Sequence, residues 1–128
     1  MSDTLKVCGL TIERGAKLRT YLPVPDTNVK IPLTIINGEK DGPTLLITAG
    51  IHGGEYPGIA AAMELGRDIE PEHVTGCLIM MHPVNIQGFW ARREMIVPED
   101  GKNLNRVFPG DPTGTLADKT AYLISNNF

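Results

Sequence analysis

The chain has 128 residues, 41% of them hydrophobic, and a formal net charge of −3. That is room for one domain with a core of its own, and the acidic balance speaks against nucleic acid or an anionic membrane as partner. No apolar run approaches the ~20 residues that span a bilayer. The start, MSDTLKVCGL, carries an acid and lacks a long apolar segment, so no secretory signal is expected.

Taken in chain order, TIERGAKLRTYLPVP (residues 11–25) suggests a short hairpin, with Leu18 and Leu22 too sparse to set its register. VKIPLTII (29–36) puts Ile31, Leu33 and Ile35 on one face and predicts a strand, which Pro32 demotes toward a sheet edge. NGEKDGP (37–43) carries Asn-Gly and Asp-Gly turn signals. TLLITAG (44–50) is apolar on both faces and predicts a strand buried on both sides, as in parallel sheets covered by helices.

That strand runs into GIHGGEYPG (50–58), where His52 and Glu55 stand three residues apart among four glycines. Zinc accepts imidazole nitrogen and carboxylate oxygen, and two His with one Glu is a known catalytic ligand set. Residues three apart at a strand-to-helix corner can reach one ion. Such a corner lies beyond the carboxyl end of a parallel strand, where ligands collect in open α/β sheets. The alternative is that His52 bonds the helix entry and Glu55 caps the helix N-terminus. A phosphate cradle fits poorly, because the stretch matches neither GxGxxG nor GxxxxGK[ST] and holds an acid where phosphate wants positive charge.

Pro57 suits a first helical turn, and the helix continues through GIAAAMELGRDI with Ile59, Met63 and Leu65 in register. GCLIMMHPVN (76–85) predicts a second fully apolar strand, completing a strand–helix–strand crossover. The stretch from Gln87 to Thr113 shows no periodicity, and at about 25 residues it is long for a loop without a task. It includes ARREMIVPEDGKNLNRVFPG (91–110), with Arg92, Arg93, Lys102 and Arg106 as cations and Asn103 and Asn105 as amides. Arg106 beside Asn105 can fork a carboxylate, and an arginine near a metal can hold an oxyanion. The alternative is a solvated loop whose arginines pair with Glu94, Glu99 and Asp100. Thr115 with Asp118 predicts the start of a last helix carrying Leu116, Leu123 and Ile124. That helix has no glycine stop and no strand after it, which suggests an incomplete α/β domain with an open sheet edge. Cys8 and Cys77 are too few for a disulfide framework and lack metal-ligand spacing, so reduced thiols in a cytoplasmic protein are expected.

GIHGGEYPG after a buried strand, then NIQGF, then DGKNLNRVFPG, resembles the succinylglutamate desuccinylase/aspartoacylase family, related to the zinc carboxypeptidases. The resemblance covers most of the chain, from about residue 30 to its end. It implies a mixed, mostly parallel sheet with helices on both faces, incomplete at the C-terminal end, in a single domain spanning 1–128. It further implies a Zn2+ hydrolase that cleaves the amide of an N-acyl amino acid through metal-activated water. His52 and Glu55 fall on the family's first two zinc ligands, Asn105 and Arg106 on the pair that holds the substrate carboxylate, and Arg92 or Arg93 near the carbonyl-polarising arginine. The implied partner is a small carboxylate-bearing amide. The family's third ligand, a histidine, and its glutamate base have no match before Phe128. His82 ends an apolar strand and is open as a substitute ligand or as a packed histidine; His73 reads as surface. Glu64 and Glu70 read as the polar face and the end of a helix. The chain is therefore expected to be the N-terminal portion of such a hydrolase, or else a catalytically incomplete binding module, with a self-associated copy as one way to cover the open edge.

Overall fold

The computed structural model describes residues 3–128; the first two residues of the start read above lie outside them. Strands β1 (Thr4–Val7) and β2 (Leu10–Glu13) form an antiparallel pair of their own. The hairpin expected within 11–25 lies earlier, at Cys8-Gly9. Both residues have positive φ, 49° and 75°, the two left-handed positions of a tight turn that matches strand twist.

The main sheet has four strands in the order β3 (Ala16–Pro23), β4 (Lys30–Asn37), β6 (Thr75–Met81), β5 (Lys40–Thr48). β3 and β6 both run antiparallel to β4, and β5 runs parallel to β6. The sheet is therefore mixed, with two antiparallel pairings to one parallel among the described residues.

Pro32 does not sit on an edge strand: β4 is flanked on both sides. The β4–β6 register begins at Leu33↔Met81, and beyond it Pro32 needs only to accept, its carbonyl taking the N–H of His82 at 3.1 Å. A residue without an N–H is tolerated at the end of a ladder. The Asn-Gly turn does not close a hairpin either, because β6 lies between β4 and β5. Asp41-Gly42-Pro43 falls inside β5 as a register shift between Lys40 and Thr44.

β5 is the sheet's edge, and this corrects the expectation that TLLITA is buried on both sides. Leu46 and Ile47 are half-buried, packing against separate cores, while Leu45 is 57% exposed because β6 is its neighbour on one side only.

Helix α1 (Tyr56–Asp68) has Pro57 in its first turn as expected. Its buried face is Ile59, Ala62 and Gly66, with Gly66 against Thr34; Met63 and Leu65 are 46% and 43% exposed, so the register read from them is corrected. Helix α3 (Leu116–Asn127) starts at the expected capping box of Thr115 and Asp118. It buries Ala117, Ala121, Leu123 and Ile124 with Ile31, Leu33, Ile35 and Ile79, the face of the sheet opposite to Thr34. The long aperiodic stretch holds a five-residue helix, α2 (Ile86–Trp90), and a 3-10 turn at Leu104–Arg106; buried Val97 and Leu104 tie it to the core. No helix among the described residues is long and apolar enough to cross a membrane.

Candidate metal and carboxylate site

The carboxyl end of β5 turns sharply before α1. Ala49 and Gly50 accept the N–H groups of Val84 and Asn85 at 2.8 and 2.9 Å, so the corner is held to the segment after β6. Gly54 donates to the carbonyl of Glu94 at 3.2 Å, which fastens the corner to the stretch carrying Arg92 and Arg93. Gly53 lies flat on α2: a Cβ there would meet the Phe89 nitrogen at 2.4 Å. Only glycine permits that approach.

Within the corner the N–H of Glu55 bonds the carbonyl of His52 at 3.2 Å, closing one turn. The two side chains thereby converge, with His52 Nδ1 2.6 Å from Glu55 Oε1. Glu55 occupies the N-cap position of α1, yet its side chain makes no capping bond. The carboxylate is spent on the histidine, not on the helix.

The other ring nitrogen, His52 Nε2, faces Asn103 Oδ1 at 2.9 Å. Acceptor oxygens on both nitrogens favour the protonated ring, so Asn103 first and then Glu55 raise the His52 pKa above its ordinary value of 6.5, against partial burial and the nearby charge of Arg106. The place between His52 Nδ1 and Glu55 Oε1 is thus one that either a proton or a cation can take. One imidazole nitrogen and one carboxylate oxygen suit zinc in kind and direction. Among the described residues no group of three His, Cys, Asp or Glu is arranged to hold a metal, so the pair is a partial set.

His82 does not join it. It is 6% exposed, its Nε2 is 2.8 Å from Thr34 Oγ1, and burial pushes its pKa down. It is the packed, hydrogen-bonded alternative. His73 is on the surface, accepting the N–H of Glu70 at 3.0 Å.

Asn105 and Arg106 lie in the 3-10 turn that Asn103 caps, next to His52, where the Arg106 charge is felt. Both are exposed, and among the described residues Arg106 reaches only its neighbour's carbonyl, at 3.4 Å. Arg92 and Arg93 are exposed after α2, Arg92 with a left-handed φ of 55°. None of Arg92, Arg93 and Arg106 forms an ion pair among the described residues, so the alternative reading, pairing with Glu94, Glu99 and Asp100, is not what occupies them. Asp100 instead accepts from Thr115 Oγ1 at 2.7 Å and from the Ala117 N–H at 2.8 Å. Lys102 pairs with Asp118 at 2.5 Å, and these three contacts staple the loop to the start of α3.

The sequence offered Asn103 only as one of two amides in its loop. Its contact with His52 spans 51 positions, and the N-x-N spacing was the one hint of it. Nor did the sequence point to the aromatic wall beside Glu55, where Phe89 meets Tyr56 and Trp90 edge to face at 5.9 and 5.3 Å.

A strand end carrying His and Glu, an Asn-Arg pair beside it and a mixed sheet between helices together define an α/β domain with a candidate site at one end of its sheet. Residues 41–127 match the succinylglutamate desuccinylase/aspartoacylase catalytic domain. The chain belongs to that family. It is 43% identical over 108 residues to the N-alpha-acetyl-L-2,4-diaminobutyric acid deacetylase of Halomonas elongata, an alignment covering 79% of this chain and 31% of the relative. It is also similar to the crystal structure of a succinylglutamate desuccinylase/aspartoacylase from Rhodobacter sphaeroides, with TM-score 0.81 and 35% identity over 96% of this chain and 39% of that one. The product-bound ectoine utilization protein EutE (DoeB) of Ruegeria pomeroyi gives TM-score 0.79 and 38% identity over 87% and 35%. The chain thus spans about a third of the length of these relatives.

Proposed function

We propose that these residues form the metal-binding and carboxylate-binding part of a zinc-dependent, cytoplasmic hydrolase that removes the acyl group from an N-acyl amino acid. The observation that carries this reading is the convergence of His52 Nδ1 and Glu55 Oε1 to 2.6 Å at the carboxyl end of β5. His52 and Glu55 would hold the zinc, which when bound supplies an acidified water and polarises the amide carbonyl.

Asn105 and Arg106 take the substrate's free carboxylate and fix its orientation. Arg92 or Arg93 neutralises the oxyanion as it develops. A third ligand and a general base have no counterpart beside His52 among the described residues; in this reading they come from outside these 128 residues. The substrate class, a small amide bearing a free carboxylate, is supported by the name of the Halomonas elongata relative, a deacetylase of an N-acetylated amino acid.

The test is a chimera in which this chain replaces the matching part of that deacetylase. The chimera is expected to release amine from the relative's N-acetyl substrate with zinc present, and His52→Ala or Glu55→Ala to abolish release. Variants that keep the chimera's rate would refute the reading.

A further inference from the structure

Asn103 Oδ1 stands between two nitrogens, His52 Nε2 at 2.9 Å and the backbone nitrogen of Asn105 at 3.0 Å. A backbone N–H can only donate, so the Asn103 atom that faces it is the amide oxygen, and this contact settles which way the amide points. The same oxygen cannot donate to His52, so Nε2 must carry a proton. A neutral His52 then presents its lone pair at Nδ1, the nitrogen that meets Glu55.

Partners of this kind fix the tautomer and ring direction of metal-bound histidines in general. Here the partner also belongs to the other half of the site, because Asn103 caps the 3-10 turn that carries Asn105 and Arg106. The turn itself is anchored: Leu104 is fully buried, and Lys102, one residue before Asn103, is tied to Asp118 at the start of α3.

We infer that Asn103 is a positioning residue: it holds His52 as the Nε2–H form with Nδ1 aimed at the metal, and it locks the metal-binding corner to the carboxylate-binding turn. This rests on the reading of His52 as a ligand, but the hydrogen bond is testable without metal.

The test uses the 128-residue chain with 15N-labelled histidine, metal-free and then titrated with zinc alone. The metal-free protein is expected to show a His52 Nε2–H resonance protected from exchange. Asn103→Leu should lose it, and Asn103→Asp, which keeps an acceptor oxygen, should retain it. Zinc affinity should fall about 10–100-fold in Asn103→Leu and stay near the parent's in Asn103→Asp.

A proton on Nδ1 alone in the metal-free parent would overturn the inference, whether or not the leucine variant folds. So would an Asn103→Leu chain with the parent's Nε2–H signal and zinc affinity. If this chain alone takes up no zinc, the missing third ligand accounts for it, the ligand reading is decided by the chimera, and the resonance still decides the role of Asn103.

Discussion

Gly53 has no room for a methyl group. A Cβ there would lie 2.4 Å from the Phe89 nitrogen and 2.6 Å from the Gly88 carbonyl carbon, all main chain, so no side-chain rotation relieves the clash. Gly53→Ala should therefore cost about 1–3 kcal/mol, the usual range for overpacking, read as a lowered denaturant midpoint. An unchanged midpoint would mean that the corner and α2 part easily. His52 and Glu55 were legible in the sequence because residue type and spacing are local properties. The roles of Gly53 and Asn103 were not, because each depends on a segment far along the chain that the fold brings within bonding distance.

Among the elements, α3 shows how a helix start can hold a long loop. Asp118 accepts from Lys102 at 2.5 Å and from the Thr115 N–H at 3.0 Å, and these contacts, in that order, hold its carboxyl below the ordinary 3.8. A carboxyl whose pKa is depressed by folding adds stability above its unfolded value and loses it as pH falls through the folded one. Parent and Asp118→Asn should therefore differ in melting temperature at pH 7, and the gap should close as pH falls below 3.8 and through the lowered folded-state value. A gap independent of pH would show that the carboxylate charge is irrelevant to the loop anchor. The capping box was readable from Thr115 and Asp118 alone. The registers of α1 and β5 were misjudged for one reason. Apolar composition marks what can be buried, while the fold decides what has a neighbour, and Met63, Leu65 and Leu45 lack one on their outer side.

For the whole molecule, β5, α1 and β6 were visible as a strand–helix–strand unit because parallel crossovers need long apolar strands and an amphipathic helix between them. Placing β4 between β3 and β6 was beyond a local rule, since Pro32 marks an edge in most sheets but here pairs with Tyr21 inside the β3–β4 register and lies just past the end of the β4–β6 one. The fold gathers the corner after β5, the turn at 104–106 and the stretch after α2 at one end of the sheet, and the proposed function depends on that gathering. The most direct measurement is calorimetric zinc titration of the deacetylase chimera, which supplies the remaining ligand, and of its His52→Ala and Glu55→Ala variants. The account predicts saturable binding of one zinc in the chimera and none in either variant. Equal uptake in all three, or none in the chimera, would contradict the claim that the His52–Glu55 corner is a metal site.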